Sequence, residues 1–353
     1  TAMYGSRGAS GVIEVKTKKG TGRGFQISYE GNVGFEQMYK HLEMLNAAEY
    51  VATAKALGIY CNNGGFNTDN YKVITRTGMV NNHYLAFSGG TPQSNYRASF
   101  GVMDHNTIIK KMDYNVFVAK VDVTQKAFND KLTGEFGVFG SSFKNHDIFD
   151  TQMLFYSAAC QNPTFPAGTD EHGNWLKNES ATHINPPGIL LEEKNDSKDL
   201  NFDAHIKLSY DFNKNWRVST FGSYLYGSTE NGQFCPTLVW AQGNVYRGEF
   251  KKEEWLGNVA LDFNKKFGIH KVSAGVSSEY RKLRKTAFWV YAKGIPTNDF
   301  HYDNLGATAA RPYGGTESTY EDQSLASVMG SITYNLLDRY TLAVNARGDG
   351  SSM

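Results

Sequence analysis

The residues that could do chemistry are gathered in a few polar stretches, and most of the arrangements fail a spacing test. Asp170, Glu171, Glu192 and Glu193 offer carboxylates, and glycoside hydrolysis needs two carboxyl groups held at a set separation. These four lie in a long polar stretch, where solvated charge is the ordinary state. His172 and His183 flank the same stretch without the H-x-x-x-H or H-E-x-x-H spacing that presents two imidazoles to a metal. No serine sits in a G-x-S-x-G turn. The glycine-rich opening, Gly5 to Gly11, is not followed by Gly-Lys-Ser/Thr or by a helical pattern, and Gly20 to Gly24 lacks G-x-G-x-x-G, so neither reads as a phosphate cradle. Cys61, Cys160 and Cys235 are far apart, with no C-x-x-C pair. No catalytic residue, metal site or cofactor is expected. What remains are aromatics with Asn, Gln and Asp neighbours in the long connections: Tyr156, Trp175, Trp240, Tyr246, Trp289 and Tyr302, with Phe155, Tyr291 and Tyr313 beside them. Ring faces next to polar groups suit a sugar or a peptide. The plainer reading is that they pack the loops, since few positions in a site carry binding.

The elements that must position them are strands. Apolar residues alternate with polar ones in Phe25–Glu30, in Tyr96–Val102, most strictly in Phe202–Tyr210, and again through Trp255–Phe263, Val272–Tyr280 and Tyr340–Ala346. Period two gives each strand one apolar and one polar face. About eleven strands of roughly ten to fourteen residues are expected, enough to cross a bilayer with tilt. Short connections near Gly89–Ser94, Thr124–Asp130, Asn213–Asn215, Asn264–His270 and Leu336–Asp338 alternate with long ones near Met38–Val80, Lys144–Asp199, Glu230–Phe250 and Arg284–Thr319. A soluble sandwich mixes turn lengths at both ends, whereas a bacterial outer-membrane barrel keeps short turns on one side and long loops on the other. One connection, near Asn106–Lys111, is short where a long loop is expected. Tyr210, Phe212, Trp216, Phe263, Phe267, Tyr334 and Tyr340 flank the short turns, as an interfacial girdle would. A helix is expected over Leu42–Leu57, ending at Gly58.

The bulk properties agree. Thirty-six Lys and Arg against 35 Asp and Glu leave a net charge of +1 over 353 residues, so no global field points to nucleic acid. No run of eighteen apolar residues occurs, which excludes a helical membrane span but not a strand-built one. The chain opens inside a motif and stops inside a strand pattern, so both ends are expected to be truncations.

Four segments then carry a family resemblance. Met3-Tyr4-Gly5-Ser6-Arg7-Gly8-Ala9-Ser10-Gly11-Val12-Ile13, continuing to Thr17-Lys18-Lys19-Gly20, resembles the plug-terminal signature of the SusC/RagA family of TonB-linked outer-membrane transporters of Bacteroidetes. Ser10 stands where that family usually has Asn, and Glu14-Val15 replaces an apolar pair. Met44–Tyr50, Asn162–Pro166, and Asp338–Tyr340 with Arg347–Ser352 resemble later family segments in the same order. The resemblance implies an all-β fold: the C-terminal end of a plug domain over residues 1–24, then the N-terminal half of a transmembrane antiparallel β-barrel over 25–353, about eleven of roughly 22 strands. Tyr4, Gly5, Arg7, Gly8 and Gly11 would shape the last plug turns, with Arg7 pairing a carboxylate of the barrel lumen. It further implies active import of an oligosaccharide or peptide across the cell outer membrane. The partners would be a SusD-like surface lipoprotein acting as lid, the TonB energy-transducing complex acting through a segment absent here, and outer-membrane lipid. Two other readings predict different behaviour. A passive porin or adhesin barrel would have no plug ahead of it, and a secreted β-sandwich acting on glycans would be soluble without detergent.

Overall fold

The computed structural model describes residues 11, 13, 17–20, 24–176, 185–237 and 243–352. Its strands are β1 (Gln26–Glu36), β2 (Gly78–Gly90), β3 (Ser94–Asn106), β4 (Asp113–Ala127), β5 (Leu132–Asp147), β6 (Lys194–Asp211), β7 (Trp216–Cys235), β8 (Asn244–Phe267), β9 (His270–Lys293), β10 (Thr316–Leu336) and β11 (Tyr340–Ser352). They form one eleven-stranded sheet in sequence order, antiparallel throughout. This is the all-β meander that the alternation predicts.

The register keeps the two faces distinct across the sheet. Leu85 opposes Phe100, Phe100 opposes Ala119, and Val121 opposes Val138. Phe136 opposes Ile206, Tyr224 opposes Trp255, Leu261 opposes Val276, and Ile332 opposes Val344. Directly opposed residues share a face, so these side chains make one apolar surface. Among the described residues nothing covers it: Val259 is 55% exposed, Ile332 58% and Trp255 57%. A continuous exposed apolar surface of this size is foreign to a water-soluble monomer. The opposite face carries Lys120, Glu135, His205, Glu254, Arg281 and Arg347 by the same parity. At the short-turn end the apolar face carries rings, with Trp216 against Phe263 at 4.8 Å and Tyr210 edge-on to Phe212 at 5.2 Å.

Among the described residues the buried apolar clusters lie at the loop end. The helices α2 (Asn70–Ile74), α3 (Thr151–Cys160) and α4 (Pro186–Glu192) meet around Tyr71, Ile74, Leu154, Ile189 and Leu190, with Ile109 and Ile148 from the neighbouring connections. Thr164, fully buried, ties two loops together. Its Oγ1 donates to the Asn62 carbonyl and accepts from Gly64 N–H, and Asn162 Oδ1 accepts from Thr164 N–H. This accounts physically for the Asn162-Pro163-Thr164 segment. A second cluster, Phe234, Val245 and Ala292 with Ile295, Tyr302 and Leu305, forms where residues 294–315 fold back over the tops of β7, β8 and β9.

Two expectations need correction. Several strands exceed fourteen residues, and β8 and β9 reach 24. The connection expected at Glu230–Phe250 therefore shrinks to residues 236–243, and the one at Arg284–Thr319 to 294–315. The alternation fades above Trp255 and Tyr280, while the backbone ladder runs on. The helix α1 (Ala47–Ala56) starts five residues later than its composition suggests. The Asn46 side chain accepts from Glu49 N–H at 3.0 Å and Glu49 returns the bond to Asn46 N–H at 2.9 Å, a capping box that fixes the start. Gly58, at φ +65°, ends it as foreseen.

Candidate functional site

On β8 to β11 three tiers of charge climb the polar face. Deepest, the Arg347 side chain is only 6% exposed. Its Nε donates to Asp349 at 2.7 Å and its Nη2 to Ser327 Oγ at 2.8 Å, with Glu279 at 3.6 Å. A turn higher, Arg281 grips Glu254 with two bonds of 2.7 and 3.0 Å, and Lys252 reaches the same carboxylate at 3.2 Å. Toward the loop end, Lys285 pairs with Glu321 at 3.1 Å. Arg281–Glu254 and Lys285–Glu321 meet across adjacent strands, Arg347–Asp349 and Lys252–Glu254 lie two apart on one strand, and Arg347 reaches over β10 to Glu279, all because residues of one parity share a face. The fork geometry of guanidinium on carboxylate makes the Arg281–Glu254 contact the most directional.

Above these pairs lies a cavity of about 700 Å³ lined by Asn201, Thr229, Phe250, Lys252, Lys285 and Trp289. The Phe250 and Trp289 rings stack with centroids 6.2 Å apart and planes 15° from parallel. The volume falls in the range of small-ligand sites.

The described part of the leading segment touches the same face lower down. Lys19 pairs with Glu135, and Lys120 Nζ donates to Thr17 Oγ1 at 2.9 Å. Gly20 passes so close to β3 that a Cβ there would stand 2.4 Å from the Tyr96 carbonyl oxygen, so no side chain fits.

The sequence candidates do not converge. Trp289 lines the cavity. Tyr246 shares its face and opposes Tyr291. Both belong to strands, not loops. Tyr302 lies over the other face, where its hydroxyl donates to Asp196 and its ring packs on Gly232. Burial first, then the Asp196 bond, pushes its phenol upward. Tyr156 is exposed on α3. Trp175 packs against Gly188 and the first cluster, as loop packing requires. Trp240, Tyr4, Gly5, Arg7 and Gly8 lie outside the described residues. Gly11 is exposed with φ +104°. Phe250, Lys252 and Lys285 were not expected at the site. The signal was parity: continued upward from Trp255 and Tyr280, the alternation puts Phe250, Lys252, Lys285 and Trp289 together on the polar side.

No family model matches the chain. Among curated proteins, it is 29% identical to the TonB-dependent receptor P3 of Formosa agariphila, over all of this chain and 36% of that protein. It is 27% identical to the TonB-dependent receptor SusC of Bacteroides thetaiotaomicron, over all of this chain and 37% of that protein. The chain thus spans little more than a third of the curated relatives' length. Its fold is that of the RagAB peptide importer: in the open-open state the likeness has a TM-score of 0.81 at 15% identity, covering all of this chain and 44% of that one. In the closed-closed state the TM-score is 0.78 at 14% identity, covering all of this chain and 45% of that one. With four family-like segments in order, likeness to TonB-dependent receptors, SusC among them, over its whole length and a strand meander that follows the RagAB fold, the chain fits a fragment of the SusC/RagA family.

Proposed function

We propose that the protein containing this chain is a TonB-dependent importer of the cell outer membrane that moves an oligosaccharide or peptide through its lumen without chemical change. The observation that carries this reading is the pairing of an exposed apolar face with a charged, internally bonded opposite face across all eleven strands. Water-facing apolar strands are unstable, but lipid satisfies them, and the polar face then lines a lumen. Closure needs further strands, because β1 and β11 each pair on one side only among the described residues, and lipid cannot satisfy an open edge.

In this reading residues 1–24 close the plug, with Tyr4, Gly5, Arg7, Gly8 and Gly11 forming its last turns, and the contacts of Thr17 and Lys19 dock that segment on the wall. Residues 25–353 are the N-terminal half of the barrel. Trp289 and Tyr246 face the solute path. The loop end is where a SusD-like lipoprotein would cover the mouth: α1 has no buried residue, and Leu42, Met44, Leu45, Tyr60 and Phe66 around it are exposed. Transport needs no nucleophile or acid-base pair, so the protein is not an enzyme.

The test is to express the complete coding sequence with its export signal. Heat-modifiable migration in the outer-membrane fraction, copurification of a lipoprotein, and nutrient uptake that stops when TonB is deleted are the expected results. TonB-independent diffusion would favour a porin, and a detergent-independent soluble product would overturn the barrel.

A further inference from the structure

Resting on the outer-membrane reading, we propose that the apolar face carries a site for one anionic phospholipid at its short-turn end, with an acyl chain in a cleft of the wall and the headgroup phosphate on Lys265. The cleft, about 520 Å³, opens on the apolar face between β7 and β11 and is lined by Trp216, Leu261, Phe263, Ala274, Ile332 and Val344. The register accounts for it. Phe263 opposes Ala274, Ala274 opposes Ile332, and Ile332 opposes Val344, so one small side chain lies between two large ones. One row toward the loops, Gly330 opposes both Val276 and Ala346, and a Cβ at Gly330 would meet nothing within 4 Å. The packed rings of Trp216 and Phe263 form one bank of this indentation.

Charge selects the lipid. One row toward the short turns, Lys265 opposes Val272 and Val272 opposes Tyr334, whose hydroxyl is bonded to His270 at 2.6 Å. Lys265 is exposed and has no ion pair among the described residues. On β5 to β11 the apolar face holds no other charged side chain between the short turns and a rim at Lys144, Lys198, Glu230, Glu253, Lys282 and Asp322. The carboxylates of this end are engaged elsewhere: Arg217 grips Asp211 and opposes Asp262, and Lys271 pairs with Asp338. The five short connections with their flanking strand ends, residues 90–94, 126–131, 211–217, 262–271 and 336–340, carry eight Lys and Arg against four Asp, while the whole chain is nearly balanced. Short turns of such a barrel face the periplasm, where the adjoining leaflet is phospholipid. A lysine stem lies along an apolar wall while its ammonium reaches the headgroup level. Lipid tails are as apolar as the wall, so fit and headgroup charge decide which lipid stays. A phosphate beside Lys265 and the Tyr334 hydroxyl makes a charge-assisted contact, and a headgroup with net negative charge also answers the positive turns.

The test uses the full-length transporter, purified in detergent with any copurifying lipoprotein, and native mass spectrometry with added phosphatidylglycerol, phosphatidylcholine of the same chains, or lipid A. Phosphatidylglycerol is expected to be held about tenfold more tightly than phosphatidylcholine. Lys265→Gln should erase that preference and Lys265→Arg should keep it. Gly330→Leu, which fills the cleft without meeting the backbone, should weaken both phospholipids at least about fivefold. Lys266→Gln, the neighbouring cation of opposite parity, should change neither. Equal binding of the two phospholipids overturns the proposal, as does a Gly330→Leu variant that binds like the parent. So does Lys266→Gln matching Lys265→Gln, which would mean diffuse attraction to the turns, or lipid A binding through Lys265 in preference to phosphatidylglycerol. Heat-modifiable migration of each variant confirms that it folds, and TonB-dependent uptake is scored separately. The lipid site can thus fail while the importer reading stands.

Discussion

Lys19 Nζ lies 2.7 Å from Glu135 Oε2, an ion pair that reaches across 116 residues and pins the stretch ahead of β1 to the polar face of β5. Lys19 is half exposed, so the pair contributes little, about 0.5 kcal/mol. Its value is positional. Lys19→Glu should expose the leading segment to protease in the folded transporter while leaving overall melting unchanged. Lys19→Glu with Glu135→Lys should restore protection. Equal cleavage of the single and double variants would mean that other contacts hold the segment.

Gly20 makes a sharper demand on the same segment. A Cβ at Gly20 would meet the Tyr96 backbone at 2.4 Å, whereas one at Gly24 would meet nothing within 4 Å. Backbone cannot swing aside as a flexible side chain does. Gly20→Ala is expected to lift the segment off β3 and raise its hydrogen exchange, and Gly24→Ala should match the parent. If both behave alike, the close approach does not persist in the membrane.

How much of this was legible follows from where each face meets its solvent. Phe202, Ala204, Ile206 and Leu208 alternate strictly because lipid lies on one side and polar groups on the other, so those strands declare themselves. Near Phe250 and Lys252 both sides are wet or covered by loop, so the pattern dissolves although the ladder runs on. The capping pair Asn46 and Glu49 is legible as N-x-x-E and marks the true start of α1, whereas helix-forming composition alone extends the expected helix back to Leu42. The cavity was illegible for a different reason. Trp289 and Phe250 lie 39 positions apart, and only the β8–β9 register, fixed by the turn at Gly268, brings them together.

The face assignment can be tested at adjacent positions. Val259 projects from the apolar face and Asn258 from the polar one. Val259→Arg should cost about 2–4 kcal/mol, the depth-dependent penalty for a cation on the lipid side of a barrel. Asn258→Arg should cost far less. Folding titrations into lipid vesicles would report both, and comparable losses would remove the basis for calling one face lipid-facing.

Asn46→Ala removes the side-chain acceptor for Glu49 N–H in α1 and should cost that helix about 1 kcal/mol. α1 buries none of its residues, and its first N–H, on Ala47, also donates to the Asn67 side chain at 3.1 Å. The effect is expected as local fraying in amide exchange over residues 47–56, with an unchanged barrel melt. Asn46→Ser should largely preserve the helix, since serine caps nearly as well. If Asn46→Ala leaves exchange untouched, a lid or another loop is ordering α1.

The loop over residues 294–315 should respond to pH through His301. Burial, and then the nearby Lys194 ammonium at 3.3 Å, hold its imidazole below the ordinary 6.5, against partial opposition from Asp303, Asp299 and Asp196. The ring packs edge-on against Phe234 at 5.1 Å, so a proton there must be accommodated beside an apolar cluster and a fixed cation. The released loop binds that proton more readily than the docked one. Docking is therefore fully favoured above 6.5 and weakens as pH falls from there through the lowered value. Lowering pH from about 7 to about 5 should raise exchange across the loop once intrinsic rates are corrected, and should loosen the Tyr302 bond to Asp196 that the loop carries. His301→Gln, which cannot gain a charge in this range, should flatten the response. A pH dependence that survives His301→Gln would move the cause to the carboxylates around it.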